Sequence, residues 1–335
     1  MASNFRDEEL SRTGFFGRNK IVLIAVIIAC VLFAAAFFME RSKSVVDIIP
    51  VLRGEISLQN GFAITTTREQ YPILIKKDDP IVGSKLRFSG DPRSLFAETA
   101  AFLVESGDIV VEVGAHFGYN AVRIGNKLGR HGKYYAFEPN DGIAAYFRKS
   151  IMLNDLEDIV VLKTVAVSNT EETISIDDYL SISKNPDGSF TKPRSITADC
   201  STLDIELAGE LRPVSLLLAD IPGLEFDIIG GAKKLIDNSD KIKIIISLNK
   251  EIASTRYHAG RELKKMQERG FRIYMAEGFH RCKEADIDEI ISQKEAVVIL
   301  SKQRLSFTVP QEEKSKKTDS KRKPAPKEKK HKSKK

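Results

Sequence analysis

From Asp108 onward the chain alternates short apolar runs with amphipathic stretches, and that alternation constrains its fold more than any other feature. Strand-like runs fall at 109–113, 133–137, 159–163, 214–219, 242–248, 271–275 and 296–300. Helix-like runs fall at 117–128, 142–153, 203–211, 225–237, 259–269 and 284–292. Such alternation implies an α/β fold: a mainly parallel sheet of seven strands with helices on both faces. With 335 residues, 42% of them hydrophobic, the chain is long enough to build a substantial core.

The first two strand-like runs carry the clearest chemistry. Val110-Val111-Glu112-Val113 ends in a carboxylate and leads into Gly114-Ala115-His116-Phe117-Gly118, which opens a helix-like stretch. The next run, Lys133 to Phe137, ends in Glu138-Pro139-Asn140. Two strands ending in acids, with a glycine turn and a helix between them, describe a nucleoside-binding unit. The glycines let backbone approach a ligand, and the second acid can accept both ribose hydroxyls. A dinucleotide fingerprint would read G-x-G-x-x-G; here Ala115 fills a glycine position, so a dinucleotide oxidoreductase is disfavoured.

The turn Glu112-Val-Gly-Ala-His-Phe-Gly-Tyr-Asn120 resembles the first motif of class I S-adenosylmethionine-dependent methyltransferases, and more narrowly that of the FkbM family. Five further pieces follow in the family's order: Ala136-Phe-Glu-Pro-Asn140, Asn154 with Asp155-Leu156, Val165-Ala-Val-Ser168, Thr202-Leu-Asp204, and Asp220 to Ala232. The resemblance spans roughly residues 95 to 300. It implies a Rossmann-like sheet with an antiparallel last strand, and S-adenosylmethionine as cofactor. Glu112, Gly114, Ala115, His116, Gly118, Glu138 and Asn140 are the cofactor-binding residues that it implies. Glu112 would lie near the amino-acid end of the cofactor or order the turn, Glu138 would take the ribose hydroxyls, and Asn140 would help position the adenosine. His116 stands at a helix start, where the dipole disfavours an imidazolium; it is read as a turn-ordering or cofactor-contacting residue, with general base as the alternative.

On the acceptor side the resemblance is incomplete. The family pattern Lys-Ile-Asp-x-Glu-Gly-x-Glu reads here as Leu218-Ala219-Asp220-Ile221-Pro222-Gly223-Leu224-Glu225. Asp220, Gly223 and Glu225 are kept, while the lysine and the middle glutamate are replaced. The next strand, which usually ends in glutamate, runs into Ser247-Leu248-Asn249. Asp220 and Glu225 are the candidate catalytic residues. The family's activity implies methylation of an oxygen on a sugar, a lipid-linked glycan or another small hydroxyl acceptor. The altered loop leaves open a methyltransferase-fold protein with a structural or regulatory role instead.

The flanks add a location. Residues 21–39 lack charge and reach the length that spans a bilayer as a helix. A cleaved signal peptide and a buried helix are the alternatives, but the apolar run continues past the small residues Ala34 to Ala36. The expected partner is therefore a membrane, crossed once, with residues 1–20 as an N-terminal tail. A bacterial cytoplasmic membrane, or an organelle derived from it, is the expected site, with the catalytic domain on the cytosolic side where the cofactor is made. Family members also occur on magnetosomes. Residues 40–94 are a Gly/Pro-punctuated cap, with strand-like runs at 73–75 and 85–88, and 95–310 the methyltransferase-like domain. The tail, 311–335, holds twelve cations against four acids, a net of +8 that leaves the rest of the chain at −2 of the total +6. Too polar to fold alone, it is expected to be disordered. It could remain a solvated tail, or it could meet anionic lipid, an acidic protein or nucleic acid; without aromatics, base stacking has no support. Three distant cysteines and five scattered histidines form no metal-ligand pattern.

Overall fold

A computed structural model describes residues 55–80, 82–89, 95–252, 258–278 and 280–306. The apolar segment 21–39 and the tail 311–335 lie outside the described residues. Among the described residues no helix is long and apolar enough to cross a membrane.

The main sheet is built from β4 (Ile109–Val113), β5 (Lys133–Phe137), β6 (Val160–Lys163), β10 (Leu216–Ala219), β11 (Lys243–Asn249), β12 (Arg272–Gly278), β13 (Arg281–Glu284) and β14 (Glu295–Ser301). Its spatial order is β13-β12-β14-β11-β10-β4-β5-β6. Strands β6, β5, β4, β10 and β11 run parallel, and β14 inserts antiparallel between β11 and β12. This is a Rossmann-like sheet, mixed and flanked by helices. It has eight strands, not seven, because Arg281–Glu284 turns back and pairs antiparallel with β12. That strand has no long apolar run, so an apolar count overlooks it.

Consecutive apolar residues serve both faces of the sheet. Val111, Leu217 and Ile244 point into one core, and Val110, Leu216 and Ile245 into the other. That is why these strands read as continuous hydrophobic runs. The helices α3 (Tyr119–Leu128) and α4 (Asp141–Met152) follow β4 and β5 as expected. The stretch 225–237 is two helices, α6 (Glu225–Gly230) and α7 (Lys233–Asp237). They part where Gly231 abuts Ser168: a Cβ there would stand 2.0 Å from the Ser168 carbonyl oxygen. The stretch 203–211 is helical only as α5 (Leu203–Glu206). Asp204 turns its carboxylate to the start of α7, accepting from Lys234 N at 3.0 Å and Leu235 N at 2.9 Å.

Two smaller sheets complete the fold. One, β1 (Ile56–Ser57), β2 (Phe62–Thr66) and β3 (Pro72–Lys76), precedes α1 (Gly83–Ser89) and α2 (Leu95–Leu103). The run 85–88, read as strand-like, is helical. The other joins β7 (Ala166–Val167) to the hairpin β8 (Glu172–Asp178) and β9 (Arg194–Ser201). The cap is packed on the domain, with Ala63, Ile73, Ile75, Val82 and Leu86 sharing a core with Ala97 and Tyr119. Arg123 of α3 ties the two parts together, donating to Glu69 at 2.6–3.0 Å and to Glu98 at 2.9 Å.

Candidate functional site

Parallel strands of an open sheet present their carboxyl ends to one edge, where ligands of such folds bind. Here that edge gathers Glu112, Glu138 and Asp220. Glu112 is buried; its carboxylate accepts from Asn120 Nδ2 and from the Tyr134 hydroxyl, each at 2.7 Å. Burial, helped by the charges of Asp220 and Glu138 and opposed by those two hydrogen bonds, pushes its carboxyl up to about 7. With both oxygens engaged, Glu112 orders the turn through α3 and β5.

The turn itself hangs on β5: Gly114 N and Ala115 N both donate to the Phe137 carbonyl at 3.0 Å. Gly114 and Gly118 have φ of +87° and +85°, where a side chain is strained. Their missing Cβ atoms make room for protein: at Gly114 the Cβ would stand 2.7 Å from Ile221, and at Gly118 2.1 Å from the Phe147 ring. Both glycines thus serve tight packing, of the turn on the β10 loop and of α3 on α4.

Glu138 ends β5 and is 6% exposed. One oxygen accepts from His116 N and the other from Asn140 N, both at 2.9 Å. Burial raises its carboxyl, against the His116 charge and the two backbone hydrogen bonds. A carboxylate has about four lone-pair sites, so this one retains acceptor capacity for two further donors. Asn140 caps α4, accepting from Ile143 N at 3.1 Å, and donates to Asp178 of the β8 hairpin at 3.0 Å. Its side chain is thereby committed within the protein, holding the hairpin against the turn.

His116 faces the cap. Its Nε2 lies 3.3 Å from Asp79 Oδ1, and the other Asp79 oxygen accepts from Val82 N at 2.6 Å and Gly83 N at 2.8 Å. Burial alone would lower the imidazole, but the hydrogen bond and charge of Asp79, with Glu138 and Glu112 behind it, outweigh burial and raise it. Asp79 is lowered: burial works to raise it, and His116 with the two backbone donors prevails. The helix start therefore does not keep this ring neutral as expected. The imidazolium is favoured, and a buried, paired cation is poorly suited to be a general base. Neither Asp79 nor Tyr179, whose ring centre stands 6.0 Å from that of His116, was legible as a site residue. They lie 37 residues before and 63 residues after His116, and no local pattern links them.

The ends of β10 and β11 differ. Asp220, just beyond β10, is exposed, yet enough protein crowds it to raise its carboxyl; the Ser247 hydroxyl and the Lys85 charge pull the other way. Lys85 comes from α1 of the cap, a contribution invisible in the sequence. Glu225 is 1% exposed, and its carboxylate turns back to accept from Gly223 N at 3.0 Å. It closes the loop that carries Asp220 and does not stand open beside it.

Residues 112–273 match the model of the methyltransferase FkbM domain. No curated protein matches the chain in sequence. Among solved structures, the chain is similar to an rRNA methylase from Streptococcus thermophilus at 11% identity, TM-score 0.38, covering 62% of this chain and 94% of that one. It is similar to Aeropyrum pernix fibrillarin with natively bound S-adenosyl-L-methionine at 12% identity, TM-score 0.37, covering 74% and 98%. A SAM-dependent O-methyltransferase from Thermotoga maritima gives 14% identity, TM-score 0.35, covering 74% and 96%. S-adenosylmethionine is the expected cofactor of the matched domain, and the residues present suit it. Glu138 keeps free lone pairs at the end of its strand, and the buried His116 Nδ1 and the Asn120 side-chain oxygen lack hydrogen-bond partners beside the turn.

Proposed function

We propose that the chain is an S-adenosylmethionine-dependent methyltransferase, anchored at a membrane by residues 21–39, that methylates an oxygen of a sugar, lipid-linked glycan or other small hydroxyl compound. The observation that carries the reading is Glu138: a buried strand-end carboxylate, fixed by two backbone donors and still able to accept hydroxyls. Glu138 and the turn 114–118 would hold the nucleoside, and Glu112 would keep the turn in register. When bound, the cofactor supplies an electrophilic methyl group on a sulfonium. Held there, the cofactor would supply its methyl group to the acceptor oxygen and keep the electrons of the carbon–sulfur bond, and the residues that position donor and acceptor would set the rate. Asp220 takes the hydroxyl proton, and its raised carboxyl makes it a stronger base than an ordinary aspartate. Such a membrane would be a bacterial cytoplasmic membrane or an organelle derived from it, with the lysine-rich tail on its anionic face.

A second reading is favoured by Glu225 and the loop around it. With that carboxylate folded onto Gly223 and no acid at Pro222 or Ser247, Asp220 works with few polar neighbours. A protein that binds the cofactor without turnover, in a structural or regulatory role, would look the same. Calorimetry of the full chain with S-adenosylmethionine tests both. Absence of binding at millimolar ligand sinks the cofactor assignment. Binding without methyl transfer to any hydroxyl acceptor, followed by activity in the Pro222→Glu, Ser247→Glu double variant, establishes the second reading.

A further inference from the structure

The cap carries an apolar groove on its outer side. Leu58, Phe62 and Ile64 line it from the cap and Tyr146, Met152 and Leu153 from α4 and the turn after it, around a volume of about 620 Å³. Phe62 and Tyr146 stack across it with ring centres 3.9 Å apart. Folding leaves large apolar side chains open here: Met152 is 62% exposed, Leu153 44% and Leu58 41%. Scattered apolar residues on a surface need no explanation, but a contiguous set lining one groove does. Arg148 and Lys149 are exposed on the same helix, and the Lys149 ammonium lies 5.2 Å from the centre of the Tyr146 ring. Bulky apolar side chains flanked by cations form the composition of a surface that lies in the headgroup region of a bilayer.

The chain's connectivity names the occupant. The apolar segment ends at Met39, sixteen residues before Glu55, and the groove begins at Leu58. Sixteen extended residues reach at most ~55 Å, so this end of the domain is tethered to whatever holds residues 21–39. We infer that the groove lies against the membrane, its walls taking up acyl chains while Arg148 and Lys149 meet anionic headgroups. The inference rests on the reading of residues 21–39 as an anchor and adds which face of the domain the lipid touches. It also places lipid near the chemistry, because Phe62 packs with Phe117, the residue after His116 in the cofactor turn.

The chain contains no tryptophan, so each introduced one is a lone reporter. Met152→Trp probes the groove. Ile291→Trp, 39% exposed on α9 (Ile287–Ser292) over the opposite face of the sheet, is the control. Both are placed in the full chain, reconstituted into phosphatidylcholine–phosphatidylglycerol vesicles containing brominated lipid. The expected result is quenching at position 152 at least about threefold stronger than at position 291, weakening when phosphatidylglycerol is left out. Equal quenching, or none at 152, while the chain resists carbonate extraction overturns the face assignment and leaves the anchor standing. A blue-shifted but unquenched reporter at 152 also overturns it, showing that protein covers the groove. Release of the chain by carbonate overturns the anchor reading and this inference with it.

Discussion

The two ends of the sheet's binding edge are built on opposite plans. At the ends of β4 and β5, three buried titratable side chains are tied by named partners: Glu112 to Asn120 and Tyr134, Glu138 to two backbone amides, His116 to Asp79. At the ends of β10 and β11, the exposed Asp220 has a serine hydroxyl and a distant lysine, while Glu225 is used to close its own loop. A group that must hold one fixed ligand benefits from preorganisation, and the dense network supplies it. A group that meets a variable acceptor is left open. The same contrast says where change is cheap: a substitution at the end of β10 disturbs few partners, one at the ends of β4 and β5 several.

The largest expected effect tests that division. Asp220→Asn removes the proton acceptor and should lower methyl transfer by ~10²–10⁴-fold while cofactor affinity stays within a fewfold. Single-turnover transfer and calorimetry read the two quantities, and an undiminished rate in Asp220→Asn would remove Asp220 from the reaction. The complementary change, Glu138→Ala, should weaken S-adenosylhomocysteine binding by ~1.5–3 kcal/mol, the usual cost of hydrogen bonds to a charged group. Equal affinity for parent and variant would break the cofactor assignment. Asp79→Asn should cost about 1–2 kcal/mol near neutral pH, mainly from the His116 pair. The pH dependence follows from both shifts. His116 is raised, so its share is present below the ordinary imidazole range and lost as pH rises through the raised value. Asp79 is lowered, so its share is present above the ordinary carboxylate range and lost as pH falls through the lowered value. The gap in melting temperature between parent and variant should therefore close toward both extremes of pH. The smallest change is Ser247→Ala. Losing a hydrogen bond that favours the Asp220 carboxylate should move the acidic limb of the rate profile to higher pH, with a severalfold loss at most on its acid side. A limb moving to lower pH would contradict the arrangement.

What the sequence could show was local or periodic. The runs 109–113 and 133–137 coincide with β4 and β5, and the acids that end them stand where the motif implied. Gly114 and Gly118 were legible as special positions, but the reason for each is a side chain far along the chain, Ile221 and Phe147. Strands β8 and β9 were missed because they are largely solvated, with the alternating serines, threonines and aspartates of a surface hairpin. Arg281–Glu284 was missed for the same reason. Asp79 and Lys85 could not be found at all: each meets its site partner only because the cap folds over α3, and nothing in their neighbourhoods records that.

Arg123 decides how the protein comes apart. One guanidinium grips Glu69 of the cap and Glu98 of α2, and the latter is 6% exposed. Separating the parts would break the Arg123–Glu69 pair, leave the guanidinium with Glu98 alone, and lay bare the core shared by Ile73, Ile75, Ala97 and Tyr119. Cap and sheet should therefore melt in a single cooperative transition and exchange their amide hydrogens as one unit. A chain begun at residue 95, where the sequence pattern sets the domain's start, would lack a wall of its own interior.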